Sequence, residues 1–573
     1  MAAAASSAIA TAESSWILTA RLYDRSRRMK LLAILVPSVV MLALFAPVSA
    51  QIATPAARPP KLIVLISIDQ MRGDYIDKFQ HQWSKGLKRL IREGAWFRQA
   101  EYPYYNTVTC AGHASISTGT VPAVHGMVLN QWWERNNSRL VSCTDDESQK
   151  LVTYGTPVKS VGHSAKHLLS TTLSDELRLQ GPAAPRVVGI SLKARSAITL
   201  AGRKPDAVIW LDEADGEWVT STAFATAPAS FFADYIARHP LRGEMGRRWD
   251  RSLRPDQYVG DYSAQDRRSI ALVTKEFPHT VKGTGAEVGG AFSDAWESSP
   301  FSDEYLAALA TTAIDAMKLG RGPATDFLGI VFSALDKVGH DFGPDSHEVQ
   351  DVLVHLDARL GELLDKLDRD VGKGNYVVGL SSDHGVSPVP ERIKAQGFDA
   401  GRINTAAIGR AIDEILVREL GGGPYRTRVI YNDVYFNEGV YVRLKEQPRA
   451  MEAVLDVIRR TEGVWRVYRK EELSAGDPLT RPSALSHYEG RSGDIKMLGR
   501  AYWITSSSTT THGTGHRYDT RVPVLLFGYG IKRGEYLAPA TPIDLAPTLA
   551  FLSNVTLPDA TGRVLSEALT TPR

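Results

Sequence analysis

Acidic and imidazole side chains recur in this sequence directly after apolar runs. Asp69 closes the run at 62–69, and Asp336 follows the run at 326–335, with His340 four residues on. Asp383 and His384 follow the run at 375–382, and His512 sits in a Thr-rich stretch before Gly513. Carboxylate oxygens and neutral imidazoles are suitable zinc ligands. Asp and His four apart can share one ion on a helical turn. Taken singly, each is better explained as a turn, capping or solvated residue; jointly they point to two metals. Paired metals suit in-line displacement at phosphorus. Thr109, in Tyr105-Asn-Thr-Val-Thr-Cys-Ala-Gly-His-Ala114, is the candidate nucleophile. A hydroxyl where an extended run turns into a helix sits over unpaired N–H groups and a positive dipole end. That position suits attack on a phosphate, but it also suits an ordinary helix N-cap.

The elements that position these residues alternate. Further apolar runs lie at 186–191 and 522–528. Runs of this kind are strands buried on both faces. Between them, Val349, Val352, Leu353, Leu356, Leu360, Leu363, Leu364 and Leu367 fall at helical spacing. The expected fold is therefore α/β, a three-layer sandwich around a central mixed, mostly parallel sheet, with its active site at the carboxyl ends of the strands. Residues 395–475 differ: helices at 403–420 and 450–461 and short strands at 429–431, 440–444 and 464–468 read as a small inserted α+β cap subdomain. The core then spans 61–394 and is completed by 476–573. The stretch 215–300, rich in Arg, Asp, Gly and aromatics, reads as surface cap or loop.

At the amino end, an apolar run at 30–45 follows Arg25, Arg27, Arg28 and Lys30 and precedes Val48-Ser49-Ala50. Residues 1–50 read as a secretory signal peptide rather than a stable membrane anchor, with Met29 the expected start and 51–60 a linker. Removing Arg21, Arg25, Arg27, Arg28, Lys30, Glu13 and Asp24 takes five from 67 basic residues and two from 64 acidic ones, leaving 62 of each. A neutral chain argues against nucleic-acid specificity, so attraction for anions must be local. Cys110 and Cys143 permit one disulfide in an exported protein, although spacing does not establish the pairing.

The motifs at 66–72, 107–114, 125–130, 191–195, 336–340, 382–385 and 511–513 together resemble the alkaline phosphatase superfamily, in its monomeric, threonine-nucleophile PafA-type branch. The resemblance covers about 61–565. It implies two Zn2+ ions, one held by Asp336, His340 and His512, the other by Asp69, Asp383, His384 and the Thr109 oxygen. It also implies attack by Thr109 on phosphorus, giving a phosphothreonine that water hydrolyses. Lys193 and Arg195 alternate along what reads as an extended segment, ordinarily a solvated basic pair; within the resemblance they and Asn130 hold the non-bridging phosphate oxygens. An extra charged oxygen for Lys193 and Arg195 implies small-molecule phosphate monoesters as substrates and a periplasmic or secreted alkaline phosphatase. A nucleotide pyrophosphatase/phosphodiesterase on the same scaffold is the rival. A sulfatase is disfavoured because Cys110-Ala-Gly-His-Ala114 lacks the expected modification pattern. His113 is expected to pack within its helix, with a supporting role toward the site left open, His347 to be supporting or exposed, and Trp132 and Trp133 to form a pocket wall. Asn554-Val-Thr556 is a weak match to a glycosylation acceptor.

Overall fold

A computed structural model describes residues 58–570, apart from 156, 158, 159, 261–275 and 283–287. The expected signal peptide and nearly all of the linker lie outside the described residues. An 11-stranded sheet runs through the molecule. Its parallel centre places Tyr376–Ser381, Leu62–Ile68, Asp326–Phe332, Val187–Ile190 and Ala207–Leu211 side by side in that order. Antiparallel strands flank it, Val524–Gly528 against Tyr376–Ser381 and Trp218–Ser221 against Ala207–Leu211.

The strand Leu62–Ile68 shows why the fold is layered. Successive side chains point to opposite faces, and all seven are buried. Leu62, Val64, Ile66 and Ile68 join one hydrophobic cluster, Ile63 and Leu65 another. A strand apolar on both sides needs helices over both sides. The helices Pro300–Met317 and His347–Leu367 contribute apolar residues to the first cluster, and Leu545–Leu552 to the second.

The stretch 215–300 is not simply surface loop. Trp218, Trp249 and Trp296 are buried in the larger cluster, because these aromatics carry more apolar area than a surface loop could leave in water. The small α+β unit has its own core, with Ile412, Leu444, Val454 and Trp503 among its members. Its antiparallel sheet runs Arg428–Ile430, Asp433–Tyr435, Ile495–Gly499 and Val464–Arg469, so it takes in a strand from beyond 475. The expected strand at 440–444 is a helix, Val440–Lys445, whose Val440, Tyr441 and Leu444 are buried together. Residues at i, i+1 and i+4 share a helical face, so packing overrides the strand preference of Val and Tyr.

Candidate active site

Adjacent parallel strands deliver their carboxyl ends to one edge of the sheet. Asp383, Asp69, Asp336 and Lys193 leave neighbouring strands in the order of the sheet itself. Lys193 Nζ lies 2.6 Å from Asp69 Oδ2 and 2.6 Å from Asp336 Oδ2. One turn beyond Asp336 in the helix Ala334–Phe342, His340 Nε2 is 3.2 Å from Asp336 Oδ1, and His512 Nε2 reaches to 3.9 Å from the same oxygen. On the other side His384 Nε2 is 3.1 Å from Asp383 Oδ2 and 3.6 Å from Asp69 Oδ1.

The imidazole tautomers follow from what each Nδ1 meets. His340 Nδ1 bonds the Thr510 carbonyl, His384 Nδ1 that of Gly385 and His512 Nδ1 that of Thr107, at 2.9, 3.0 and 2.9 Å. A carbonyl only accepts, so each Nδ1 carries a proton, and in the neutral form that binds a cation each ring turns a bare Nε2 lone pair inward. Those lone pairs face carboxylate oxygens, and Asp69 Oδ1 and Asp383 Oδ2 are buried with no hydrogen-bond donor among the described residues. Acceptors facing acceptors, with three carboxylates set against one ammonium, are the donor set of divalent cations. Asp336, His340 and His512 form one group whose ligand atoms lie within 4.8 Å of one another, and Asp69, Asp336 and His384 form another. Asp336 therefore stands between both groups. Burial, then Asp336 and Asp383, push the Asp69 carboxyl up to about 8. Burial works against the ionised Asp383, yet His384 and His113 hold it well below the usual carboxylate range.

Thr109 opens the buried helix Thr109–Thr118 and is its first helical residue; Val108 takes the cap position, so the plain N-cap reading fails. The Thr109 Oγ1 lies 3.4 Å from His384 Nε2. Every residue of this helix is buried, and small side chains let it approach Asp383. A Cβ at Gly112 would sit 2.2 Å from the Asp383 carbonyl oxygen, so only glycine fits there. Gly119, at φ 70°, ends the helix in the left-handed conformation. Cys110 and Cys143 are paired in a disulfide, their Cα atoms 6.7 Å apart, pinning the residue behind the nucleophile.

On the phosphate side, Lys193 is extended at φ −104° and ψ 130°, but Arg195 already lies in the helix Ala194–Ala201. The expected extended segment is thus corrected: the pair straddles a strand-to-helix turn instead of alternating along a strand. Two cations at a helix N-terminus oppose the helix dipole and are stabilised by an incoming anion. Arg195 is steered by Glu213, 3.4 Å away, and its Nε is buried without a partner among the described residues. Asn130 Oδ1 accepts from the Cys110 N–H at 2.8 Å, which fixes the amide so that its NH2 faces the Tyr431 hydroxyl at 3.3 Å.

Gln70 has no role in the sequence reading, although it directly follows Asp69. Its backbone N–H donates to Asp383 Oδ1 at 3.1 Å and its side chain to Asp336 Oδ1 at 2.6 Å. His113 Nδ1 bonds the Thr109 carbonyl at 2.9 Å and lies 3.4 Å from Asp383 Oδ2, so it supports the site rather than merely packing. Burial pushes its pKa down to about 4. His347 is buried, not exposed; it stacks on Tyr258 and bonds the Gly260 carbonyl, outside both ligand groups. Trp132 lines a 640 Å³ cavity with Arg491 and Tyr441, between the Trp-bearing hairpin and the inserted unit.

Candidate metal-ligand groups at parallel strand ends, beside a helix-borne threonine, fit a hydrolase of α/β fold in the alkaline phosphatase superfamily, the class in which the comparisons place the chain. Residues 63–520 match the family described as type I phosphodiesterase / nucleotide pyrophosphatase, and the chain belongs to it. The chain is 31% identical over 528 residues to alkaline phosphatase PafA of Elizabethkingia meningoseptica, covering 90% of this chain and 96% of that protein. It is 31% identical to alkaline phosphatase PhoV of Synechococcus elongatus, covering 89% and 93%. The crystal structure of wild-type PafA superposes with a TM-score of 0.81 at 30% identity, over 90% of this chain and 100% of that one.

Proposed function

We propose that this enzyme is an exported, zinc-dependent alkaline phosphatase that hydrolyses phosphate monoesters through a phosphothreonine at Thr109. The observation that carries the reading is Thr109 Oγ1, 3.4 Å from the inward-turned Nε2 of His384, on the first turn of a helix beside both ligand groups. Export rests on the basic and apolar stretch ahead of Ala50. No described helix is long and apolar enough to cross a membrane.

Asp336, His340 and His512 would hold one ion, and Asp69, Asp383, His384 and the Thr109 oxygen the other. Imidazole-rich donors of this kind suit zinc. Divalent cations supply positive charge that favours an ionised Thr109 and stabilises the departing ester oxygen. Arg195 and Asn130 hold two non-bridging oxygens, Arg195 through its unpartnered Nε and the guanidinium fork. Lys193 adds a buried positive charge beside them. Thr109 Oγ bonds to phosphorus as the alcohol oxygen leaves; water then attacks from the opposite side, the Thr109 O–P bond breaks, and the hydroxyl is restored. A monoester dianion brings the additional charged oxygen that two cations at one helix N-terminus favour.

The family description also covers phosphodiesterases, which makes that activity the rival reading. Rates on an aryl phosphate and its methyl diester separate the two. The proposal expects a monoester preference that collapses in Lys193→Ala and Arg195→Ala, and a diester preference in the wild type would sink it.

A further inference from the structure

Three consecutive residues of the inserted α+β unit reach three different parts of the active site. Asn130 Nδ2 donates to the Tyr431 hydroxyl at 3.3 Å. Asn432 Nδ2 donates to the carbonyl of Gly513, next to His512, at 2.7 Å. Asp433 Oδ2 accepts from Asn106, three residues before Thr109, at 3.3 Å, and from Lys496 at 2.5 Å. Lys496 also bonds Asn106 Oδ1 at 3.2 Å, and Asn106, Asn432, Asp433 and Lys496 are all buried.

Tyr431 stands at the tip of this contact with φ 51°. A bulky residue rarely adopts the left-handed region, and such outliers persist where the surroundings dictate them, often at functional sites. The bonds of Asn432 and Asp433 are what dictate it here. The orientation of Asn130 is fixed by the Cys110 N–H, so the Tyr431 oxygen is the acceptor in their contact. The phenolic proton has no acceptor among the described residues. The hydroxyl lies against the amide of Asn130, which puts it on the side of the site where Asn130 and Arg195 are expected to hold phosphate oxygens.

We infer that Tyr431 is a further catalytic residue, whose hydroxyl donates its proton in a hydrogen bond to a non-bridging phosphoryl oxygen, alongside Asn130 and Arg195. The inference rests on the phosphomonoesterase reading, and it makes the inserted unit part of the active site rather than a cover over it.

The test uses the full, metal-loaded chain as wild type, Tyr431→Phe, Asn130→Ala and the double variant. Two quantities are measured: kcat/KM on an aryl phosphate, and the calorimetric Kd for inorganic phosphate. A hydrogen bond to a charged oxygen predicts that Tyr431→Phe lowers kcat/KM about 10- to 100-fold and weakens phosphate binding, with Tm unchanged. The loss persists when Asn130 is already alanine, since the contact is direct. The assignment is overturned if Tyr431→Phe matches the wild type, or if its effect vanishes in the Asn130→Ala background. A wild type that turns over the ester and binds phosphate while Tyr431→Phe stays normal refutes this assignment alone. A wild type that does neither refutes the parent reading and the assignment with it.

Discussion

Substituting Gly112 by alanine adds a single methyl group where two backbones touch. The new Cβ would lie 2.2 Å from the Asp383 carbonyl oxygen and 2.6 Å from its carbonyl carbon and Cα. Real Cβ contacts essentially never fall below 3.0 Å; 3.0 less 2.2 means the helix and the Asp383 backbone must part by at least 0.8 Å. Neither side yields cheaply, because both neighbours are backbone. Helix propensity favours alanine by about 1 kcal/mol. Overpacking of this kind costs about 1–3 kcal/mol, so the net loss is small against a total stability of about 5–15 kcal/mol. Activity is far more sensitive. Gly112 is one turn from Thr109, and Asp383 is a candidate ligand beside His384. A misplacement of about 1 Å costs on the order of 100-fold. Gly112→Ala is therefore expected to fold with a slightly lowered Tm while kcat on an aryl phosphate falls about 10- to 100-fold. Steady-state kinetics beside a thermal melt decide it. Wild-type kcat in a folded Gly112→Ala protein would show that this close approach does not position the nucleophile.

Three further outcomes are expected. In chelator-treated protein, burial and Asp336 raise Asp69 to about 8; burial opposes the proton on His384, yet Asp383 raises it to about 9. Both folded values exceed the unfolded ones, so this stability is present at low pH and is lost as pH rises through the folded values. Metal-free protein should lose stability from about pH 4 upward through Asp69, and about 5 kcal/mol between roughly pH 6.5 and 9, about 3 from His384 and about 2 from Asp69, read from denaturant melts at each pH, and re-added zinc should abolish the slope. Replacing Cys110 and Cys143 by serine opens a link across a sequence separation of 33 and should cost about 3–4 kcal/mol, measured by denaturant midpoint. Gln70→Ala removes the 2.6 Å bond to Asp336 and should weaken metal retention about 10- to 100-fold in a chelator competition, with unchanged affinity counting against that support.

Four strands of the parallel centre were legible because they are buried on both faces and are followed by charged residues, while its fifth, Ala207–Leu211, was not read as a strand. The strand Asp145–Thr153 was not legible either, since most of its residues are only partly buried and its composition is polar. Period alone placed the long helix at 347–367. It failed at Val440–Lys445, where tertiary packing decided between helix and strand, and at Arg195, because Lys-Ala-Arg reads the same on a strand as across a turn into a helix. The metal-ligand types were visible as strand-end residues, but the position of Asp336 between two groups is a property of sheet order. Gln70 and Tyr431 carried no signal beyond being polar: Gln70 matters through its bonds to Asp336 and Asp383, Tyr431 through a left-handed backbone in a unit remote in sequence.

During turnover Thr109 is expected to carry the phosphoryl group. The direct measurement is peptide mass spectrometry of metal-loaded enzyme, acid-quenched during turnover of an aryl phosphate. One phosphoryl group on Thr109, absent from Thr109→Ala, which keeps its fold and metal content but loses turnover, is the predicted result. Undiminished turnover by Thr109→Ala, or a phosphoryl group trapped on another residue, would contradict the account.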